Sequence, residues 1–338
     1  MKQRQSNFEL LRIITMLAII CGHFLRQNPY TLQMPNMIFF SGFLRIAVNI
    51  FLLIGCWLMV DSEFSWKRIR RLYFTVAFYT VPITAIMIFV NPHISTREII
   101  QGFVPFFGRA VWFATAYISL MILTPFLNPF FSLPHDRQRN LLLILLAVIC
   151  IPSTIQSSYP EYVSDFLWFP CVYLFTGYVK RSEFFTGFNC KHTALFLGLA
   201  MYAAMTALER FGGSLSPIAS GFLFNIRSFP NLLCAFAIFT YFVKLDIGSI
   251  PLINAIAKSS FAVYIVHQTP AFISYEWEHI WRISAWYDAH ATVFYPLLAL
   301  VVMGTYVAVS ILDAIRNRLF EAMAAYGKRR GKHHETRL

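Results

Sequence analysis

The chain has 338 residues, of which 57% are hydrophobic, 17% aromatic and 13% charged, with a mean hydropathy of +0.58 and a formal net charge of +12. A soluble domain carries about 25% charged and about 45–50% apolar residues, so this composition excludes a soluble globular enzyme, a disordered protein and a fibrous repeat. It places the chain among all-α polytopic integral membrane proteins, where net charge reports topology first and nucleic acid is not expected as a partner.

Apolar runs recur along the chain at 8–25, 40–60, 72–90, 111–127, 140–155, 166–179, 192–208, 228–243, 259–275 and 292–312. They read as about ten transmembrane helices, each crossing roughly 30 Å of hydrocarbon. The shorter runs must borrow from their flanks or be partly re-entrant. With the N-terminus inside, most of the 28 Lys and Arg fall in inner segments. Both termini are therefore expected in the cytoplasm. Residues 1–315 read as one transmembrane domain and 316–338 as a basic cytoplasmic tail drawn to anionic lipid. The first run carries Glu9 and Arg12 and no small-residue cleavage site follows it, so it reads as a span and not a signal peptide. The longer outer loops, 91–110 and 209–227, hold Gly, Pro and aromatic residues suited to folding back as a cap or pore lining. The six cysteines form no CxxC and read as small buried hydrophobes, with neither a disulfide framework nor a metal site expected.

Ionisable groups inside a membrane are costly, at about 2.5–3.5 kcal/mol each, and mark candidate sites. The first span holds three. Glu9 and Arg12 are spaced i,i+3 and can pair on one face. Arg12 and His23 are eleven residues apart, which returns to the same face roughly 16 Å further along the axis. This geometry suits an anion held at the inner edge with proton chemistry deeper in. The plainer readings are a snorkelling arginine and a satisfied bundle histidine. Arg45 and Asn49, spaced i,i+4 in the second span, form a polar pair that faces His23 or serves helix packing. Lys67, Arg68, Arg70 and Arg71 crowd the next inner segment. They read as a phosphate clamp or as ordinary positive-inside charge. Tyr264 and His267 share a face of the ninth span, as a site or as a packed polar pair. No Walker loop, nucleophile elbow, HExxH or pair of intramembrane acids appears. The scarcity of buried acids weighs against a proton-coupled transporter.

Arg12, ten residues and then His23 resembles the R-x10-H signature of the membrane acyltransferase family 3. Further stretches resemble that family in the same order. They are Val48-Asn49-Ile50-Phe51-Leu52, Lys67-Arg68-Ile69-Arg70-Arg71-Leu72, Trp112-Phe113 with Leu123-Thr124-Pro125-Phe126-Leu127, and Ser260-Phe261 with Tyr264-Ile265-Val266-His267. The resemblance covers roughly residues 7–312. Two positions depart from it: Asn49 replaces the usual acid, and Gly55-Cys56 stands in place of Ser-Gly.

The resemblance implies an O-acyltransferase that moves acetyl from cytoplasmic acetyl-CoA to a hydroxyl of a surface or lipid-linked glycan, in a bacterial cytoplasmic membrane. It implies His23 as general base, Arg12 held by Glu9, and Lys67, Arg68, Arg70 and Arg71 on the CoA phosphates. Tyr264, His267, Trp112, Asn49 and Arg45 are the candidates for orienting the acceptor or stabilising the oxyanion. Some members carry a fused extracytoplasmic esterase-like domain. None is expected here, so direct transfer to the acceptor is favoured over hand-off to a glycan-synthesis partner. The rival readings are a transporter or flippase for a glycan and a non-catalytic subunit of a polysaccharide-synthesis complex.

Overall fold

The computed structural model describes residues 5–27, 37–106, 111–155, 165–182, 185, 187, 190–213, 223–282 and 291–335. The described residues form helices and no strand. In chain order these are α1 (Ser6–Gln27), α2 (Met37–Met59), α3 (Trp66–Val90), α4 (Thr96–Phe103), α5 (Trp112–Leu127) and α6 (His135–Ile155). They continue as α7 (Asp165–Arg181), α8 (Lys191–Phe211), α9 (Phe229–Val243), α10 (Pro251–Ala257), α11 (Ser260–His267), α12 (Pro270–Tyr275) and α13 (Ala291–Glu335). A 3-10 turn spans Asn128–Ser132 and a π-helical turn spans Glu276–Ile280. Six stretches are long and apolar enough to cross a membrane: Ser6–Leu25, Gly42–Met59, Trp66–Val90, Trp112–Ser132, Lys191–Phe211 and Val293–Glu321.

Helix α2 is the hub. Its Ile46, Ala47, Ile50, Leu52 and Leu53 are fully buried, and it packs on α1, α7, α8 and α9. The α1–α2 contact depends on Gly22, where a Cβ would lie 2.3 Å from Leu44 Cβ. The periphery is the inverse. Leu141, Leu143, Ile144 and Val148 of α6 and Phe196 and Leu197 of α8 are exposed. A band of large apolar side chains facing outward is what a lipid-solvated bundle presents.

Basic groups gather at one end of the bundle. Ser6 Oγ donates to Asn254 Oδ1 at 2.9 Å and Asn7 Nδ2 to the Phe242 carbonyl at 2.8 Å. Lys180 pairs with Asp61 at 2.6 Å, and Lys244 lies 4.9 Å from the Phe185 ring centroid. These contacts bring together the start of α1 and the ends of α2, α7 and α9.

Three elements differ from the sequence expectation, and a fourth is as it allowed. The 61–71 segment is not all loop, because α3 starts at Trp66 and places Lys67–Arg71 on its first turns. Long unbranched Lys and Arg side chains lose little freedom in a helix. The 91–110 segment does fold back over its described part. Ser95 and Glu98 close a capping box that starts α4. The chain then runs back along α3, with Gly102 against Thr84 and the Phe106 ring stacked on Tyr73 at 5.0 Å. The ninth run, 259–275, is two short helices, α11 and α12. Thr269 is extended ahead of Pro270, which breaks the chain directly after His267 and Gln268. The tail is helical through Glu335, a continuation of α13.

The expected scarcity of buried acids also needs correction. Asp313 and Glu276 are both buried. Each lies at the margin of an apolar run, so hydropathy assigned them to loops. Asp313 accepts from Tyr79 at 2.5 Å, Ser259 at 3.1 Å and Asn317 at 3.1 Å, and pairs with Arg316 at 2.9 Å. This ties α13 to α3 and to the α10–α11 junction. Glu276 Oε1 faces Thr305 Oγ1 at 3.3 Å and Trp281 Nε1 at 3.5 Å, and its Oε2 has no partner. Cys56, Cys150, Cys171 and Cys234 are buried, Cys21 is half-buried and Cys190 exposed.

Candidate active site

The histidines of the first and ninth apolar runs meet. His23 of α1 and His267 of α11 are 244 residues apart in sequence, yet His23 Nδ1 lies 2.8 Å from His267 Nε2. Their ring centroids are 5.0 Å apart. His267 is fully buried and His23 partly so. The helix ends just past His267, and the Val263 carbonyl sits 2.5 Å from His267 Nδ1. A carbonyl only accepts, so Nδ1 of His267 carries a proton. In the neutral pair His267 Nε2 is then an acceptor and His23 Nδ1 donates to it. His23 Nε2 is left as the basic nitrogen.

Gln268 adds a second demand. Its amide nitrogen lies 3.0 Å from His23 Nδ1 and donates to the His267 carbonyl at 3.2 Å. His267 asks His23 Nδ1 to donate, whereas the amide asks it to accept. His23 meets one demand or the other by carrying its single proton on Nδ1 or on Nε2, so both tautomers of this base find a partner.

His23 opens onto a narrow cavity lined by Met16, Ile19, Val48, Phe51, Trp112, Phe113 and Tyr264. Trp112, Tyr264, His23 and His267, singled out separately in the sequence, thus come together. Tyr264 has a structural duty as well. Its hydroxyl accepts from the Phe113 backbone N–H at 3.2 Å, which satisfies a donor in the first turn of α5. Its ring packs edge-on to His267, with centroids 6.3 Å apart.

Asn49 and Arg45 do not line this cavity among the described residues. Asn49 is fully buried in a different cluster. Its amide donates to the Ile226 carbonyl at 2.7 Å and to Asn231 Oδ1 at 3.0 Å, and its Oδ1 accepts from Trp168 Nε1 at 3.0 Å. Both partners of Nδ2 are acceptors, so this position needs a donor. That explains an amide where the resembling family has an acid. Arg45 stands one turn before Asn49 and is half-buried.

Glu9 and Arg12 pair as their spacing requires, through two contacts of 2.9 and 3.0 Å from one guanidinium nitrogen. Glu9 is buried and the Arg12 side chain is 20% exposed, so the cation is presented outward by a sequestered acid. Tyr117 lies within electrostatic reach of both Arg12 and Arg68, which links the first span to the basic turn of α3. Arg68 donates to Ser62 Oγ at 2.8 Å, and Lys67, Arg70 and Arg71 are exposed. No acid lies in the first turn of α3. Four cations at the positive end of a helix dipole repel one another, and an anion placed there relieves both sources of strain.

Sequence reasoning missed Gln268, Tyr117, and the Trp168 and Asn231 partners of Asn49. None has a motif of its own, and each acquires meaning only from a neighbour distant in sequence.

No curated protein and no solved structure matches the chain. The family model described as an acyltransferase domain matches residues 5–315. That match spans nearly the whole helical bundle, including both histidines and the basic turn of α3, and the chain belongs to the membrane acyltransferase family 3.

Proposed function

We propose that this acyltransferase moves an acetyl group from acetyl-CoA to a hydroxyl of a cell-surface or lipid-linked glycan. It does so from a bacterial cytoplasmic membrane that it crosses about ten times, with both termini and the basic end of the bundle in the cytoplasm. The observation that carries the reading is the His23–His267 pair at 2.8 Å, with His23 on a narrow cavity between the helices of a family-3 acyltransferase.

The cations Lys67, Arg68, Arg70 and Arg71 hold the CoA phosphates, and Arg12, steadied by Glu9, receives the donor further in. The pantetheine arm then carries the thioester toward His23. His23 Nε2 takes the acceptor hydroxyl proton as that oxygen attacks the thioester carbonyl. The charge on the carbonyl oxygen falls to the Trp112 indole N–H and the Tyr264 hydroxyl, both on the cavity wall. Collapse of the tetrahedral intermediate breaks the C–S bond, and the proton on His23 passes to the CoA sulfur. His267 steadies the transient imidazolium through His23 Nδ1. Transfer is direct, without a covalent acyl-enzyme.

The test is ester-linked acetate released by mild base from surface glycans of cells carrying wild type, His23→Ala or empty vector at matched membrane expression. Wild type is expected to add acetate and His23→Ala is not. Equal acetate per chain in all three, with glycan export altered, supports a flippase instead. Acetate raised over empty vector equally by wild type and His23→Ala supports a non-catalytic subunit.

A further inference from the structure

The structure holds a second, larger cavity away from the histidine pair. It has a volume of about 710 Å³ and lies where α6, α7 and α9 diverge at the basic end of the bundle. Its walls are Phe175, Val179, Phe185, Leu233 and Phe236, and its mouth carries Arg181 and His135. None of these residues belongs to the lining of the histidine cavity or to the crevice beneath Arg68.

The basic side chains at the mouth are held in place rather than left loose. The Arg181 guanidinium lies 4.2 Å from the Phe131 ring centroid, and His135 stacks on Tyr178 at 4.6 Å. Phe131 is itself anchored, because its ring packs where a Cβ on Gly177 would stand. Among the described residues no carboxylate pairs with Arg181. The neighbouring Lys180 is neutralised by Asp61, so the charge unspent at this mouth is that of Arg181. Leu233 and the outward face of α6 are exposed, so the apolar interior opens to the surroundings of the bundle.

We infer that this cleft is a binding site for one anionic phospholipid of the leaflet at the basic end. An acyl chain lies among Phe175, Phe236 and Leu233, and the headgroup phosphate lies against Arg181 and His135. The division is what such an amphiphile requires: an aromatic and aliphatic slot of ligand size, closed at one end by the fixed Arg181 guanidinium with His135 beside it. A zwitterionic lipid fills the slot equally well but gains less from the mouth. A free phosphate gains the mouth alone.

The test uses the full chain in nanodiscs of phosphatidylcholine alone or mixed with phosphatidylglycerol, followed by native mass spectrometry of retained lipid. Wild type is expected to retain phosphatidylglycerol about five-fold over its share of the bilayer. Arg181→Gln should lose that preference while still retaining lipid. Leu233→Trp, which fills the slot at an exposed position, should lose retention of both lipids. Equal retention of the two lipids by wild type overturns the inference, as does an undiminished preference in Arg181→Gln. Displacement of phosphatidylglycerol by millimolar inorganic phosphate would reduce the site to an anion site and overturn it. Displacement by coenzyme A would assign the cleft to the acyl donor and also overturn it. None of these readouts needs acyl transfer, so failure here leaves the proposed reaction untouched.

Discussion

Replacing His267 by Phe tests whether the two histidines act as a unit. The ring volume is largely kept, but the acceptor 2.8 Å from His23 Nδ1 is removed. A buried donor left unsatisfied costs about 1–3 kcal/mol. If that cost falls on the imidazolium formed in the transition state, kcat drops roughly five- to 150-fold at 1.36 kcal/mol per decade. Removing the base itself in His23→Ala should cost about 10²–10⁴-fold. His267→Gln places an amide near the lost nitrogen and should recover part of the rate. The assay is transfer of labelled acetyl from acetyl-CoA to endogenous glycan in membrane vesicles, with kcat and KM separated. The KM for acetyl-CoA should hardly change, since His267 is enclosed and its hydrogen bonds go to His23 and the Val263 carbonyl, not to the cationic turn. The double variant should be no slower than His23→Ala, because a base that is absent cannot be steadied. A His267→Phe enzyme with the wild-type kcat would sink the argument, as would strictly additive losses in the double variant.

Replacing Arg68, Arg70 and Arg71 with Gln should raise the KM for acetyl-CoA far more than that for the acceptor. A topology reporter must first show that orientation survives the loss of inner charge. Gly22→Ala drives a Cβ to 2.3 Å from Leu44 Cβ, so α1 must shift. The expected cost is about 1–3 kcal/mol, read as a lower thermal midpoint in detergent, with lost activity because His23 is the next residue. Asp313→Ala strands Arg316 and the Tyr79 hydroxyl and should destabilise by about 3–5 kcal/mol, with a smaller loss for Asp313→Asn. Asn49→Asp restores the family's usual acid, yet it should lower the thermal midpoint. It sets a carboxylate against the Ile226 carbonyl and Asn231 Oδ1, and pairing it with Asn231→Lys or a neutral donor should recover part of the loss.

Helical spans, an all-α class and the Glu9–Arg12 pair were legible in the residues alone because each is local. Transfer free energy acts on a run of about twenty residues, and an i,i+3 pair needs only the helix it lies on. The R-x10-H spacing likewise placed Arg12 and His23 on one face by helical geometry. The family match over residues 5–315 agrees with what those spacings resembled.

Tertiary structure decided the rest. Nothing in the period of α1 or α11 says that His23 meets His267 or that Gln268 closes on the same nitrogen. That junction depends on the break before Pro270 and on how closely Gly22 lets α2 approach. Tyr264 shared a helix face with His267 as its spacing required, but only packing turned its hydroxyl onto the first turn of α5. Asn49 read equally as facing His23 or as a helix-packing group, and only the fold chose the second, in a knot with Trp168, Asn231 and the Ile226 carbonyl. Asp313 and Glu276 passed for loop acids because hydropathy averages over a window, whereas burial depends on which helix lies alongside. Apolar runs are specified along the chain by solvent. The pairing of polar groups across the bundle is specified by which helices touch, and that is written in side-chain shapes distributed over the whole sequence.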